Sequence, residues 1–133
     1  MKYLLDSNTC IQFLNEASAG VKQKVFEQLP SDLAICSLVK AELIYGAYRS
    51  ARVPANLQRL QTFFAPLRSF PFDDACGQTY GQLRAVLTAK GVVIGANEML
   101  IAAIGLTNRL IVVTHNTREF SRVDGLKLED WEI

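Results

Sequence analysis

The sequence predicts an α/β fold with a mainly parallel central sheet flanked by helices. Three observations carry that expectation. Short apolar runs of strand length alternate with longer stretches whose apolar residues recur every three or four positions, the pattern of strands alternating with helices. The short runs are continuously apolar, as strands buried on both faces must be. Two of them stop abruptly at polar residues, Asp6-Ser7-Asn8 and Thr114-His115-Asn116, and open α/β sheets hold their ligands outside the carboxyl ends of the strands.

Tyr3, Leu4 and Leu5 form the first strand, and Asp6 ends it. There Asp6 serves either as a carboxylate delivered into a crevice or as the cap of the next helix. Residues 9–15 read as a short helix, and residues 20–29, with Val21, Val25 and Leu29 in register, as a second that Pro30-Ser31-Asp32 closes. Leu33–Cys36 is the second buried strand, and Ser37 caps a helix over residues 38–50. On that helix Leu38, Ala41, Tyr45 and Tyr48 define the expected core face, with Glu42 at its edge. Pro54 suits the first turn of the next helix, whose stripe is Leu57, Leu60, Phe64 and Leu67. Pro66 and Pro71 bracket a short edge strand over residues 67–70. Asp73 opens a long helix to Lys90 with Cys76, Tyr80, Leu83 and Leu87 as its stripe, and Gly91 closes it. Residues 99–106 are nearly all apolar and form a buried helix with Asn97 as the expected cap, so Glu98 falls in its positive first turn. A β-branched strand over residues 110–113 and a last short strand over residues 127–130 complete the sheet.

Of the 133 residues, 50% are apolar and 20% charged, so the chain reads as one globular domain, 1–133, with a core of its own. A formal net charge of +1 supplies no global field toward nucleic acid or an anionic membrane, so a polyanion must be held locally. Cys10, Cys36 and Cys76 are odd in number and each lies in or beside an apolar run, which suits free thiols in a reducing cytoplasm. No apolar stretch is long enough to span a membrane, and the opening turns acidic too early for a signal peptide.

The acids organise the chemistry. Asp6 follows the first strand, Glu42 lies on the helix after the second, Glu98 starts a helix, and Glu119 follows the fourth strand together with Asn116. Neighbouring strands lie ~5 Å apart, so groups at their ends are expected to converge within one metal's reach. Convergent carboxylates repel unless a cation lies among them, and an all-oxygen set favours Mg²⁺ or Mn²⁺ over Zn²⁺. Metal-free ribonuclease chemistry commonly pairs two groups of near-neutral pKa, whereas His115 is the sole histidine. Asn116 and Thr117 either orient a water or a phosphate oxygen, or simply make the turn.

Five stretches in order resemble the PIN-domain ribonucleases of the VapC type, the toxin half of a type II toxin–antitoxin pair. They are Met-Lys-Tyr-Leu-Leu-Asp-Ser-Asn-Thr-Cys-Ile at the start, Ala41-Glu42-Leu43-Ile44-Tyr45-Gly46, residues 94–103, Thr114-His115-Asn116-Thr117-Arg118-Glu119-Phe120 and residues 126–131. The resemblance implies a PIN fold and endonucleolytic cleavage of RNA, tRNA among the candidates, by water activated through Mg²⁺ or Mn²⁺. It implies a VapB-like antitoxin as partner and a homodimer within the toxin–antitoxin complex. It also implies that Asp6 and Glu98 ligate the metal, that Glu42 is a ligand or a water-positioning acid, and that Glu119 and Asn116 complete the site. Two positions depart from the family pattern. Ser7 replaces its usual Thr, which keeps the hydroxyl. Glu98 replaces its usual Asp, and the additional methylene is expected to attenuate cleavage. The alternative is a cleavage-defective PIN module acting as an antitoxin or RNA-binding partner. A phospho-acceptor receiver domain, which also places acids at strand ends, lacks its acidic pair and late lysine here.

Overall fold

The computed structural model describes residues 2–133. Its centre is a five-stranded, all-parallel sheet in the order β3-β2-β1-β4-β5, built from β1 (Tyr3–Leu5), β2 (Leu33–Cys36), β3 (Arg68–Phe70), β4 (Ile111–Val113) and β5 (Lys127–Glu129). Register pairs Leu4 with Ala34 on one side and with Val112 on the other, so the central strand is apolar throughout and Leu4, Leu5, Val112 and Val113 are fully buried. Each such side chain contributes roughly 1.5–3 kcal/mol relative to exposure. From β1 the chain builds outward through β2 to β3, then crosses to β4 and β5 on the far side. The direction of strand addition therefore reverses between β1 and β4, the place where such sheets open a crevice at their carboxyl ends.

Seven helices among the described residues flank the sheet: α1 (Ser7–Leu14), α2 (Ala19–Glu27), α3 (Ser37–Tyr48), α4 (Val53–Phe64), α5 (Asp74–Ala89), α6 (Ala96–Thr107) and α7 (Thr117–Phe120). Helix α6 is the core helix. Met99, Ile101, Ala102, Ala103, Ile104 and Gly105 are all buried, packed between α5 and β4. No helix among the described residues is long and apolar enough to cross a membrane.

Five local expectations need correction. Cys36, not Ser37, is the N-cap of α3, and Leu67 lies beyond the end of α4 at Phe64. The buried face of α3 is Val39, Leu43 and Ala47, whereas Tyr45 and Tyr48 are 62% and 64% exposed and Ala41 is exposed. Apolar residues lie almost all round this helix, so periodicity alone does not select the side that meets the sheet. Leu29 leaves the stripe of α2, because that helix ends at Glu27 and a 3₁₀ turn begins at Pro30. Gly95, not Asn97, is the N-cap of α6, which moves Asn97 into the first turn and frees its side chain for another partner.

Candidate active site

Asp6 occupies the junction of β1 and α1, where the capping role and the crevice role open to it in the sequence are realised together. Its Oδ1 accepts the Thr9 amide at 2.8 Å and so caps α1, while its own N–H donates to the Val113 carbonyl at 3.1 Å. The Thr9 hydroxyl donates to the same carbonyl at 3.2 Å. Those bonds lock the end of β1 to the end of β4. Asp6 is only 8% exposed, and its second oxygen remains available to the cleft that it lines.

That cleft, of about 110 Å³, is lined by Asp6, Ser7, Asn8, Glu42, Glu98 and Asn116 over an apolar floor of Ile101 and Phe120. Three carboxylates from β1, α3 and α6 thus share one concavity. Among the described residues no Lys or Arg lines it. Carboxylates above an apolar floor, without a cation to compensate them, favour a hard divalent ion with oxygen ligands. The donor set therefore fits Mg²⁺ or Mn²⁺.

Each acid is held differently. Glu42 Oε2 accepts the Ser7 hydroxyl at 2.7 Å, and its Oε1 accepts the Asn97 amide at 3.2 Å. Glu98 is the third residue of α6, and its carboxylate curls back over the helix start, into the space that a Cβ on residue 95 would occupy. Glu119 does not line the cleft. Its Oε1 accepts the Gly95 amide at 2.8 Å and its Oε2 accepts the Asn116 side-chain amide at 2.7 Å, so it ties the start of α6 to the loop after β4. The Asn116 amide, the Gly95 N–H and nearby Arg122 hold the Glu119 carboxyl below its ordinary 4.5.

Convergence is looser than the strand spacing suggests. Among the described residues, the only His, Cys, Asp and Glu trio whose ligand atoms all lie within 4.8 Å of one another is His115, Asp130 and Glu132. The cleft acids share a space but not that tight a spacing, because Glu42 and Glu98 are drawn toward Ser7, Asn97 and the Gly95 backbone. Sequence reasoning read Asn97 only as a cap and attached no role to Gly95. Its signal for both was their adjacency to Glu98. Several basic residues have local partners: Arg49 stacks on Tyr45, Arg84 on Tyr80, Lys90 pairs with Asp124 at 3.5 Å, and Arg122 donates to the Val93 carbonyl.

Sheet order, the reversal between β1 and β4 and an acidic cleft at that point define a class, the PIN domain, and the family profile of that description matches residues 3–126. A protein of Shigella flexneri described as "tRNA(fMet)-specific endonuclease VapC" is 37% identical over 131 residues, covering 98% of each chain. "Ribonuclease VapC2" of Rickettsia felis is 36% identical over 134 residues and 99% of each chain. A solved structure, DNA-bound VapBC from Salmonella typhimurium, superposes with a TM-score of 0.91 at 35% identity, covering 98% of each chain. The chain belongs to the VapC ribonucleases of the PIN-domain family.

Proposed function

We propose that this chain, as a single domain over residues 1–133, is the toxin of a type II toxin–antitoxin pair that cleaves RNA in the cytoplasm with Mg²⁺ or Mn²⁺. The observation that carries the proposal is the cleft in which Asp6, Glu42 and Glu98 meet with no lysine or arginine of the described residues beside them. The name of the Shigella flexneri relative supports tRNA as the substrate class. The VapBC assembly of the Salmonella typhimurium structure supports a VapB-like antitoxin as partner. A homodimer of the chain within that complex is part of the same proposal.

In this reading Asp6 and Glu98 ligate the ion, and Glu42 either joins them or orients the attacking water. When bound, the ion neutralises the acids and acts as the Lewis acid for water and phosphodiester. The chain's own residues set the geometry. Thr9 fixes the rotamer of Asp6, and Ser7 and Asn97 fix that of Glu42. Asn116 lines the cleft and its side-chain amide donates to Glu119, which holds it in place, so Glu119 is a positioning residue rather than one that touches substrate. Ile101 and Phe120 exclude water from the floor, which strengthens every charge interaction above it.

The antitoxin has a place to dock. An apolar groove of about 240 Å³ runs between α1, α3 and α4, lined by Ile11, Leu14, Leu43, Ala47 and Leu60, and it ends at Glu42. Glu42 also lines the acidic cleft, so a segment seated in the groove would border that cleft, which links docking to inhibition.

Glu98 favours one variation on this function. Glu98 lines the cleft with its carboxylate laid over Gly95, and in this reading that placement attenuates cleavage; in the limit the chain binds RNA without cutting it. The test incubates the purified chain with total cellular RNA with Mn²⁺, with Mg²⁺ and with chelator, and maps the new ends. Metal-dependent ends at discrete tRNA positions are expected. RNA binding without any new ends under Mn²⁺ selects the cleavage-defective module. Cleavage that persists in chelator overturns the metal mechanism.

A further inference from the structure

We propose that His115, Asp130 and Glu132 form a second divalent-cation site, of mixed nitrogen and oxygen donors suited to Zn²⁺, separate from the acidic cleft. His115 Nδ1 lies 2.9 Å from Asp130 Oδ2 and 4.0 Å from Glu132 Oε2, and the three ligand atoms all fall within 4.8 Å of one another. Ligands at about 2.0–2.2 Å around a tetrahedral ion stand ~3.4 Å apart. The observed separations bracket that value, so small side-chain rotations suffice.

The backbone explains why these groups meet. The Thr114 amide donates to the Glu129 carbonyl at 2.9 Å, which sets the loop after β4 beside the segment after β5. In that segment Trp131 is pinned inward, 2% exposed, with its ring 5.1 Å from that of Tyr3 and its indole N–H on Glu129 Oε1 at 2.9 Å. Asp130 Oδ2 and Glu132 Oε2 both lie on the side of His115 Nδ1. Asp130 Oδ1 accepts the Glu132 amide at 3.0 Å, which leaves Oδ2 for the imidazole.

Charge supplies the second argument. The carboxylate side chains are only 18% and 19% exposed, the imidazole is 63% exposed, and among the described residues neither acid has an ion-pair partner other than His115. One imidazolium offsets one carboxylate, whereas a divalent ion offsets both. An imidazole with two carboxylates suits Zn²⁺ better than Mg²⁺, and the fourth position stays open to water.

An ion here would join the carboxy-terminal segment to the loop that carries Asn116, one residue beyond His115. It would therefore stabilise the edge of the cleft without entering it. Zn²⁺ binding to the full chain is measured by titration calorimetry alongside Asp6→Asn, His115→Ala and Asp130→Asn, with melting temperature followed in parallel. The three cysteines are buried and free, so they do not compete in the folded chain. The expected result is one Zn²⁺ per chain retained in Asp6→Asn, with affinity at least about tenfold weaker in His115→Ala and Asp130→Asn, where Zn²⁺ no longer raises the melting temperature. Tenfold is the lower end of what loss of a metal-orienting group costs. Affinity unchanged by His115→Ala, or abolished by Asp6→Asn, overturns the proposal.

Discussion

Replacing Glu98 by Asp should accelerate cleavage. Glu98 is the third residue of α6, and its carboxylate lies where a Cβ on residue 95 would be, folded over the Gly95 backbone. Removing one methylene shortens the side chain by about 1.5 Å, one carbon–carbon bond, so it can no longer reach back over Gly95 and the carboxylate moves. A displacement of about 1 Å at a reacting centre changes rates by about 10²-fold, equivalent to about 2.7 kcal/mol. Mg²⁺, which demands near-ideal octahedral ligation, should feel the change most. The assay is single-turnover cleavage of a tRNA substrate in Mg²⁺, with melting temperature as the control for folding. Either acid suits the first turn of a helix, so stability should hardly change. Gly95→Ala supplies the matching perturbation. The φ of Gly95 is −55°, open to alanine, and the added methyl must push the Glu98 carboxylate aside. It should therefore change cleavage in the original chain and leave the Glu98→Asp chain nearly unaffected, a non-additive pair. A Glu98→Asp chain no faster than the original refutes the attenuation argument, and additive effects of the two substitutions refute its mechanism.

Three further outcomes follow from the same geometry. Ser7→Ala removes the 2.7 Å bond to Glu42 while Asn97 keeps its own; kcat should fall by about tenfold or more, since a hydrogen bond to a charged group contributes about 1.5–3 kcal/mol, and Ser7→Thr should keep it. The Glu119 carboxyl is depressed by Asn116, the Gly95 amide and Arg122, so its contribution to stability is fully present above its unfolded value near 4.5 and is lost as pH falls through the lower folded value. Protection of the Gly95 amide from hydrogen exchange, relative to its intrinsic rate at each pH, should accordingly weaken as pH falls through that depressed value, and Glu119→Ala should show the weaker protection at neutral pH. Gly46 lines the groove between α1, α3 and α4, and a Cβ there meets nothing within 4 Å. Gly46→Leu should therefore raise stability by up to about 1 kcal/mol through helix propensity while weakening capture by a VapB-like antitoxin at least about tenfold in a pull-down titration; unchanged capture would remove the groove from the interface.

Much of this architecture was legible in the sequence because buried strands and a buried helix announce themselves. The runs Tyr3-Leu4-Leu5 and Leu33–Cys36, the β-branched run before Thr114 and the apolar stretch after Glu98 all became the elements expected of them. The strand ends also pointed to Asp6 and Asn116, both of which line the cleft, since a strand's carboxyl end can deliver the polar residue after it to the crevice. Pairing was not legible. That Ser7 and Asn97 both grip Glu42, or that Glu119 lies behind Asn116 instead of beside the other acids, depends on side-chain directions fixed only once α3, α6 and the loop after β4 are packed together. The same holds for His115 with Asp130 and Glu132, which are brought together by the register of β4 against β5. On α3, tyrosines at helical spacing looked like core; their exposure shows that an all-round apolar helix is oriented by its neighbours.

Mn²⁺ binding and RNA cleavage by Asp6→Asn, measured beside the original chain, test the central claim most directly. Asparagine still caps α1, so the fold stays intact while the buried charge disappears. The account predicts a folded protein whose Mn²⁺ affinity at the cleft and whose metal-dependent cleavage both collapse. A folded Asp6→Asn chain that binds Mn²⁺ there and cuts RNA as before would contradict it.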